Sequence, residues 1–177
     1  DIDLEATTQA VNTDSLYSGK SIITRARKIL NAGSAAVIKA EELLVLQADT
    51  LEGDGQAYGE VINLAARFMR TQGMIKASQE LSLNIGRLEQ LTKWAGDVSD
   101  ESRGAQENSL ESVMGEVALV APVIRGNVDH LLNASLIDAK RRLELNIGVL
   151  ENAGIIESSS GGGVFLKLHE DSKNKGL

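Results

Sequence analysis

The chain of 177 residues is 42% hydrophobic and 24% charged, a balance that predicts one domain, or at most two small ones, with a substantial core. It contains no cysteine, which excludes disulfides, iron–sulfur clusters and thiolate zinc sites. Its net charge of −7 argues against a surface that attracts nucleic acid or anionic lipid as a whole.

The scarcity of aromatic residues and proline favours helices over a β-sandwich or barrel. Only 3% of the residues are aromatic, and Pro122 is the single proline. Residues 1–15 are polar and weakly periodic, which predicts an N-terminal arm. From about Tyr17, apolar residues recur at three- and four-residue steps, and this spacing predicts a first long helix that ends at the Gly-Asp-Gly turn at 53–55.

Two further helical patterns follow. One runs from about Ala57 to Ala95, and the other from about Leu110 to Ala153 with an interruption at Pro122. Residues 96–109 are polar and acidic, and they predict a connection between the two helices. Long helices joined by short polar segments are typical of an antiparallel bundle.

The C-terminal region has a different pattern. Glycines at 161–163 lie between two apolar runs, which predicts a small β-hairpin over residues 155–170 and a polar tail at 171–177. The sequence as a whole therefore predicts a mainly α fold: an antiparallel bundle of three or four long helices over residues 16–154, with a C-terminal β-hairpin.

A ten-residue phrase occurs twice in the chain. LSLNIGRLEQ at 81–90 and LELNIGVLEN at 143–152 share seven of ten letters, 62 residues apart. The match extends more weakly over residues 60–94 and 122–156. These segments predict an internal duplication.

In each copy of the phrase, three apolar residues lie at i, i+4 and i+7, on one stripe of a helix. The two stripes predict packing and interface positions at Leu81, Ile85, Leu88, Leu143, Ile147 and Leu150. Gly86 and Gly148 occupy the same place in both copies, which predicts a close crossing of helices there. Helices with apolar residues on more than one face favour self-association or a helical partner protein.

The sequence contains no pattern that indicates catalysis, a cofactor or a metal site. Residues 19–21, Gly-Lys-Ser, lack the earlier glycine and the buried strand of a phosphate-binding loop. His130 and His169 share no ligand-like spacing. The longest apolar run, Val117–Ile124, is too short to cross a bilayer, so no membrane insertion of this chain is expected. We therefore expect a non-enzymatic protein.

The C-terminal third resembles a winged helix-turn-helix. LENAGII at 150–156 is similar to the end of the recognition helix in that family, and residues 157–168 would supply the wing. The resemblance implies that DNA is the partner. It places the contacts to DNA at Lys140, Arg141, Arg142 and Lys167.

A second resemblance concerns INLAARFMRTQG at 62–73, which is similar to the helical ligand-sensing domains of bacterial chemoreceptors and histidine kinases. The chain begins at Asp1 rather than Met, which fits a processed protein or an excised sensory domain. The pattern favours a non-enzymatic helical structural or interaction protein that self-associates or packs against partner helices. The DNA-binding protein and the sensory domain are the alternatives, and the sequence indicates no compartment.

Overall fold

The computed structural model describes residues 1–33, 35–92, 117–170 and 172–176, and these residues form a parallel β-solenoid. Twelve strands belong to one sheet, and all their pairings are parallel. The described residues contain no helix. The predicted mainly α bundle is therefore wrong.

The strands are β1 (Ile2–Asn12), β2 (Ser15–Ser18), β3 (Ser21–Asn31), β4 (Val37–Ala40), β5 (Leu43–Gly53), β6 (Gln56–Thr71), β7 (Met74–Gln90), β8 (Ala118–Asn133), β9 (Leu136–Asn152), β10 (Ile155–Glu157), β11 (Gly163–Leu168) and β12 (Lys173–Asn174). Parallel strands need a long crossover connection, and here the rest of each turn of the solenoid supplies it.

Each turn of the solenoid, which we call a coil, has three straight segments. In β7 the first face comprises residues 74–77, the second face residues 81–85 and the third face residues 87–90. Equivalent residues on successive coils lie 18–22 positions apart, except where residues 91–117 separate β7 from β8. The fold is thus a stack of similar coils.

Eight coils can be followed. Coil 1 is β1, which supplies only the second and third faces; β2 with β3 forms coil 2, and β4 with β5 forms coil 3. Strands β6, β7, β8 and β9 each form one of coils 4–7, and β10 to β12 form coil 8. Each coil contacts chiefly the coils directly above and below it.

The core forms because alternate residues of each face point inward. Leu81, Leu83 and Ile85 are at most 2% exposed, whereas Asn84 between them lies in solvent. Parallel pairing places equivalent residues over one another, so the inward side chains build apolar columns. One column on the second face is completely buried: Ile22, Leu44, Ile62, Leu81, Ile124 and Leu143.

The strand pairings also correct the interpretations at the C-terminus. Strands β10 and β11 each pair with β9 and not with one another, so the predicted β-hairpin is wrong. LENAGII at 150–156 runs from the end of β9 around a corner into β10 and contains no helix. The winged-helix interpretation is therefore wrong.

The other helical interpretations fail for the same reason. INLAARFMRT at 62–71 lies in β6, so the interpretation as a helical sensory domain is wrong. The predicted helical interaction protein is also wrong, because it required the helical bundle. Residues 2–12, within the predicted polar arm, form β1. The acidic connection at 96–109 lies outside the described residues. Within those residues, no helix has the length and hydropathy that crossing a bilayer requires.

The repeated phrases occupy equivalent positions two coils apart. Leu81 pairs with Ile124, and Ile124 in turn pairs with Leu143. A duplication fits this arrangement, and it stays a prediction. Gly148 lies at the corner between the second and third faces, where an added Cβ would stand 2.2 Å from the carbonyl oxygen of Asp129. The close approach expected at this glycine is therefore between neighbouring coils rather than between helices.

Candidate interaction surfaces

The six predicted packing residues lie inside the solenoid. Their exposed fractions run from 0% to 5%, and their neighbours are other coils of the same chain. The structure brings them together in three columns of the core, in which the pairs Leu81 and Leu143, Ile85 and Ile147, and Leu88 and Leu150 are each separated by one residue of β8. They are not placed on an outer surface where a partner could reach them.

The four basic residues singled out for DNA lie on the outer surface. Lys140, Arg141 and Arg142 follow one another at the corner between the first and second faces of coil 7, and Lys167 lies on β11. Lys140 is paired with Asp138 at 3.1 Å, within the same coil. These residues are strand and corner residues, so they do not line a recognition helix.

A column of asparagines stands at the corner between the third face and the next coil. Asn133 is completely buried; its Nδ2 donates to Asn152 Oδ1 at 2.8 Å, and Asn152 Nδ2 donates to Asn174 Oδ1 at 2.8 Å. At the other end, Asn12 Nδ2 donates to Asn31 Oδ1 at 2.8 Å. In these three pairs an amide hydrogen-bonds to the amide of the next coil, whereas Asn31 donates to the Gln56 carbonyl and Gln90 to the Leu136 carbonyl.

The sequence carried a signal for this column that the helical reading missed. At six corners, the residue two positions after the one in the column is glycine or serine: Asn31-Ala-Gly33, Gly53-Asp-Gly55, Thr71-Gln-Gly73, Asn133-Ala-Ser135, Asn152-Ala-Gly154 and Asn174-Lys-Gly176. Their recurrence at coil spacing marks turns between strands. At Gly154 an added Cβ would stand 2.1 Å from the Ser135 carbonyl oxygen, which explains the small residue.

A buried carboxylate lies on the third face. Glu89 is 8% exposed; it accepts hydrogen bonds from Arg70 Nε at 2.9 Å and Arg70 Nη2 at 2.8 Å on Oε2, and from Arg87 Nε at 2.8 Å on Oε1. Burial alone would raise the pKa of Glu89, but the bonds from the two guanidinium groups outweigh burial and lower it. The cluster links coils 4 and 5 by charge.

The first face carries a column in which tyrosine and lysine alternate, with Tyr58 half-buried and the other three exposed: Tyr17, Lys39, Tyr58 and Lys76. The Tyr17 hydroxyl donates to Glu41 at 2.8 Å, and Lys39 Nζ lies 3.2 Å from the same carboxylate. This hydrogen bond raises the pKa of Tyr17 and, with the bond from Lys39, lowers the pKa of Glu41. Because these groups lie in solvent, the contacts add little to stability.

A shallow groove follows the corner between the second and third faces. Two depressions of about 390 and 300 Å³ share Gln47 and Ala48, and alanines form much of their floor. Three arginines and three carboxylates line the groove: Arg25, Arg27, Arg67, Glu5, Asp49 and Asp129. The formal charges of the residues that line the groove therefore balance.

The largest exposed apolar side chains lie at the two ends of the stack. Among the described residues, six large hydrophobic side chains are exposed, and all but Tyr17 belong to β1 or β11: Leu4, Val11, Val164, Phe165 and Leu168. Leu4, Val164 and Leu168 continue columns that are buried elsewhere. None of the described residues forms a further coil over these three side chains.

Comparison with known proteins returned no match: no family model, no curated protein and no solved structure matches the chain. The described residues contain no group of three or more histidine, cysteine, aspartate or glutamate residues placed to hold a metal ion. The fold and these surfaces define the class of protein, a three-faced parallel β-solenoid with a buried amide column at one corner.

Proposed function

We propose that this protein is a non-enzymatic structural scaffold, a short, stiff β-solenoid rod that holds outer surfaces at fixed spacing for contact with other molecules. The observation that carries the proposal is the continuous strand register from β1 to β12. Since parallel strands stack at about 4.8 Å, eight coils give a rod roughly 35–40 Å long.

Stiffness follows from the way that the coils are joined. Every coil from 2 to 7 is hydrogen-bonded through its backbone to both neighbours, and the inward columns form one continuous core. The stability of such a stack is close to a sum of coil and interface contributions. Its length should therefore change with the number of coils while its cross-section stays the same.

The test removes one whole coil. Deletion of residues 134–152 joins Asn133 to Ala153. The junction keeps the parent sequence, because an alanine already follows Asn133 in the undeleted chain. Coil 8 then meets coil 6, and Asn174 replaces Asn152 beside Asn133. We expect the variant to stay folded and its maximum dimension in small-angle X-ray scattering to fall by about 5 Å.

A shorter deletion provides the control. Removal of residues 140–151 leaves a partial coil and shifts every later residue out of register, so this variant should lose cooperative unfolding in circular dichroism. A whole-coil deletion that unfolds as readily as the partial one would contradict the scaffold proposal. A full-length chain whose scattering lacks a rod of the expected length would also contradict it.

A further inference from the structure

We infer that the larger depression of the groove, on coils 3–6, binds a neutral linear oligosaccharide. The inference rests on the proposed scaffold function, and it names a ligand for one of the outer surfaces of the rod. Coils 3–6 are covered on both sides by neighbouring coils, so the shape of this depression does not depend on the ends of the stack.

The depression is present because two small residues lie among larger ones on the outside of the coils. Ala65 lies between Gln47 and Asn84 in the outermost column of the second face, and Gly86 follows Arg67 at the corner. An added Cβ at Gly86 would stand 2.6 Å from the Arg67 carbonyl oxygen, so coils 4 and 5 would have to move apart to accept a side chain there. The spacing of the coils therefore keeps about 390 Å³ open above this floor.

Four polar side chains surround the floor: Gln47, Arg67, Asn84 and Asp129. Among the described residues, the side chains of Gln47, Asn84 and Asp129 form no hydrogen bond or ion pair, and Arg67 has only Asp49 at 3.6 Å. The Arg67 and Asp49 side chains are 87% and 58% exposed, so water competes for that pair. The hydrogen-bonding capacity of all four groups is therefore available to a ligand.

These four groups together require a ligand that both donates and accepts hydrogen bonds. The guanidinium of Arg67 only donates, the carboxylate of Asp129 only accepts, and the two amides do both. Hydroxyl groups also do both, so a polyhydroxylated ligand can satisfy all four side chains. An anion would face the like charge of Asp129 and a cation that of Arg67, so the arrangement favours a neutral ligand.

The polar groups follow one another along the rod. Gln47, Arg67, Asn84 and Asp129 belong to coils 3, 4, 5 and 6 in turn, so they advance in steps of about 4.8 Å over roughly 14 Å. In an extended β-1,4-linked glycan, each sugar residue advances the chain by a similar distance and presents hydroxyl groups at every step. An extended peptide fits less well, because both edges of these coils are already paired and the depression offers no open strand edge.

The experiment titrates the ¹⁵N-labelled full chain with cellotetraose, β-1,4-mannotetraose and chitotetraose, and it follows the side-chain amide signals by NMR. We expect the signals of Gln47 and Asn84 to move with at least one of these glycans. The dissociation constant should lie in the millimolar range, because the depression is shallow and no aromatic residue lines it. It should not change with salt concentration, since the ligand carries no charge.

Three variants test the location of the site. Asn84→Ala should weaken binding about five-fold, which corresponds to the loss of one hydrogen bond. Ala65→Arg should abolish binding because the long side chain fills the floor, and Arg25 in the same column of coil 2 shows that the fold accepts an arginine there. Asn146→Ala, in that column on coil 7 and outside the depression, is the matched control and should leave binding unchanged.

The inference is overturned if none of the three glycans moves these signals, or if the Ala65→Arg variant binds as the parent chain does. Tighter binding of an acidic oligosaccharide or of a glycine–serine peptide would also overturn it, because the ligand would then be charged or a polypeptide. A chain that forms the eight-coil rod in scattering and binds no glycan refutes this inference and leaves the scaffold proposal intact, whereas loss of the rod itself refutes both.

Discussion

At the scale of single residues, the buried amides of the corner column have the most specific role. Asn133 is completely buried and uses both ends of its amide, because Nδ2 donates to Asn152 and to the Ile155 carbonyl at 3.3 Å while Oδ1 accepts from the Ser135 amide at 3.2 Å. An apolar side chain of similar size would leave those partners buried and unsatisfied. The column therefore fixes where each coil ends and the next begins.

Asn133→Ala should lower the free energy of unfolding by about 1–3 kcal/mol, because the truncation strands buried donors and acceptors. Urea denaturation followed by circular dichroism measures this change. The control is Asn146→Ala: Asn146 lies in solvent and donates one hydrogen bond, to Asn127 at 3.0 Å, so its loss should cost less than about 0.5 kcal/mol. Equal losses of unfolding free energy for the two substitutions would show that the buried amides of the corner column stabilise the fold no more than an exposed amide does.

Glu89 makes the stability of the fold depend on pH. Its pKa in the folded chain lies below the ordinary value of 4.5, because the hydrogen bonds from Arg70 and Arg87 outweigh the effect of burial. The unfolded chain therefore takes up the proton at a higher pH than the folded chain does. The contribution is complete above about pH 4.5 and is lost as the pH falls through the lowered folded value.

Glu89→Gln should therefore destabilise the protein by about 1–3 kcal/mol at pH 7 and by less at pH 3, because the contribution of the ionised carboxylate shrinks once the unfolded chain takes up the proton. Urea denaturation at both pH values measures the difference. Glu144→Gln is the control, because that carboxylate is 54% exposed and its pair with Arg142 adds little. A loss at Glu89→Gln that is the same at pH 3 and pH 7 would argue against an electrostatic role.

At the scale of strands and coils, the corners explain why the sequence resembled helices. Leu81, Leu83 and Ile85 alternate, as residues of a strand do, but Gly86 occupies a corner and shifts the phase by one position. The next inward residue is Leu88. Leu81, Ile85 and Leu88 therefore fall at i, i+4 and i+7 although no helix exists, and the off-stripe Leu83 was the sign of the period of two.

The corner glycines also set the spacing between coils. Gly148→Ala would place a Cβ 2.2 Å from the Asp129 carbonyl oxygen, so coils 6 and 7 would have to move apart there. We expect a loss of about 1–3 kcal/mol in the free energy of unfolding, the usual cost of overpacking. Thermal and urea denaturation measure it.

Gly19→Ala is the matched control, since no atom lies within 4 Å of the added Cβ and its backbone angle is not in the left-handed region. This change should be neutral or slightly stabilising because it restricts the unfolded chain. If Gly148→Ala were equally well tolerated, the close approach of the coils would not limit this position.

At the scale of the whole molecule, the repeat was informative, whereas the composition and the hydrophobic period both led to a wrong prediction of helices. The equivalence of Leu81 and Leu143 was visible from the repeated phrase, and both side chains are buried in one column. The long-range pairing that turns each phrase into a strand is not encoded locally, because the partner residues lie 18–22 positions away, and 43–44 positions away between β7 and β8. The recurring Asn-x-Gly corners were the local sign of that distance.

The candidate surfaces could be predicted even less well. Arg70 and Glu89 are 19 residues apart and only the pairing of coils 4 and 5 brings them together, whereas Arg87 lies on the same strand as Glu89. A surface that is assembled across coils becomes visible only once the number of residues per coil is known.

The join between coils 5 and 6 has a further consequence. Strands β7 and β8 pair in register from Glu80 to Gln90 although residues 91–117 separate them in the chain, so coils 5 and 6 stack across a connection longer than those at the other corners. A corner of this kind decouples insertion from folding. We therefore expect that peptides of other sequence can replace the connection at this position while the coils on either side keep their core.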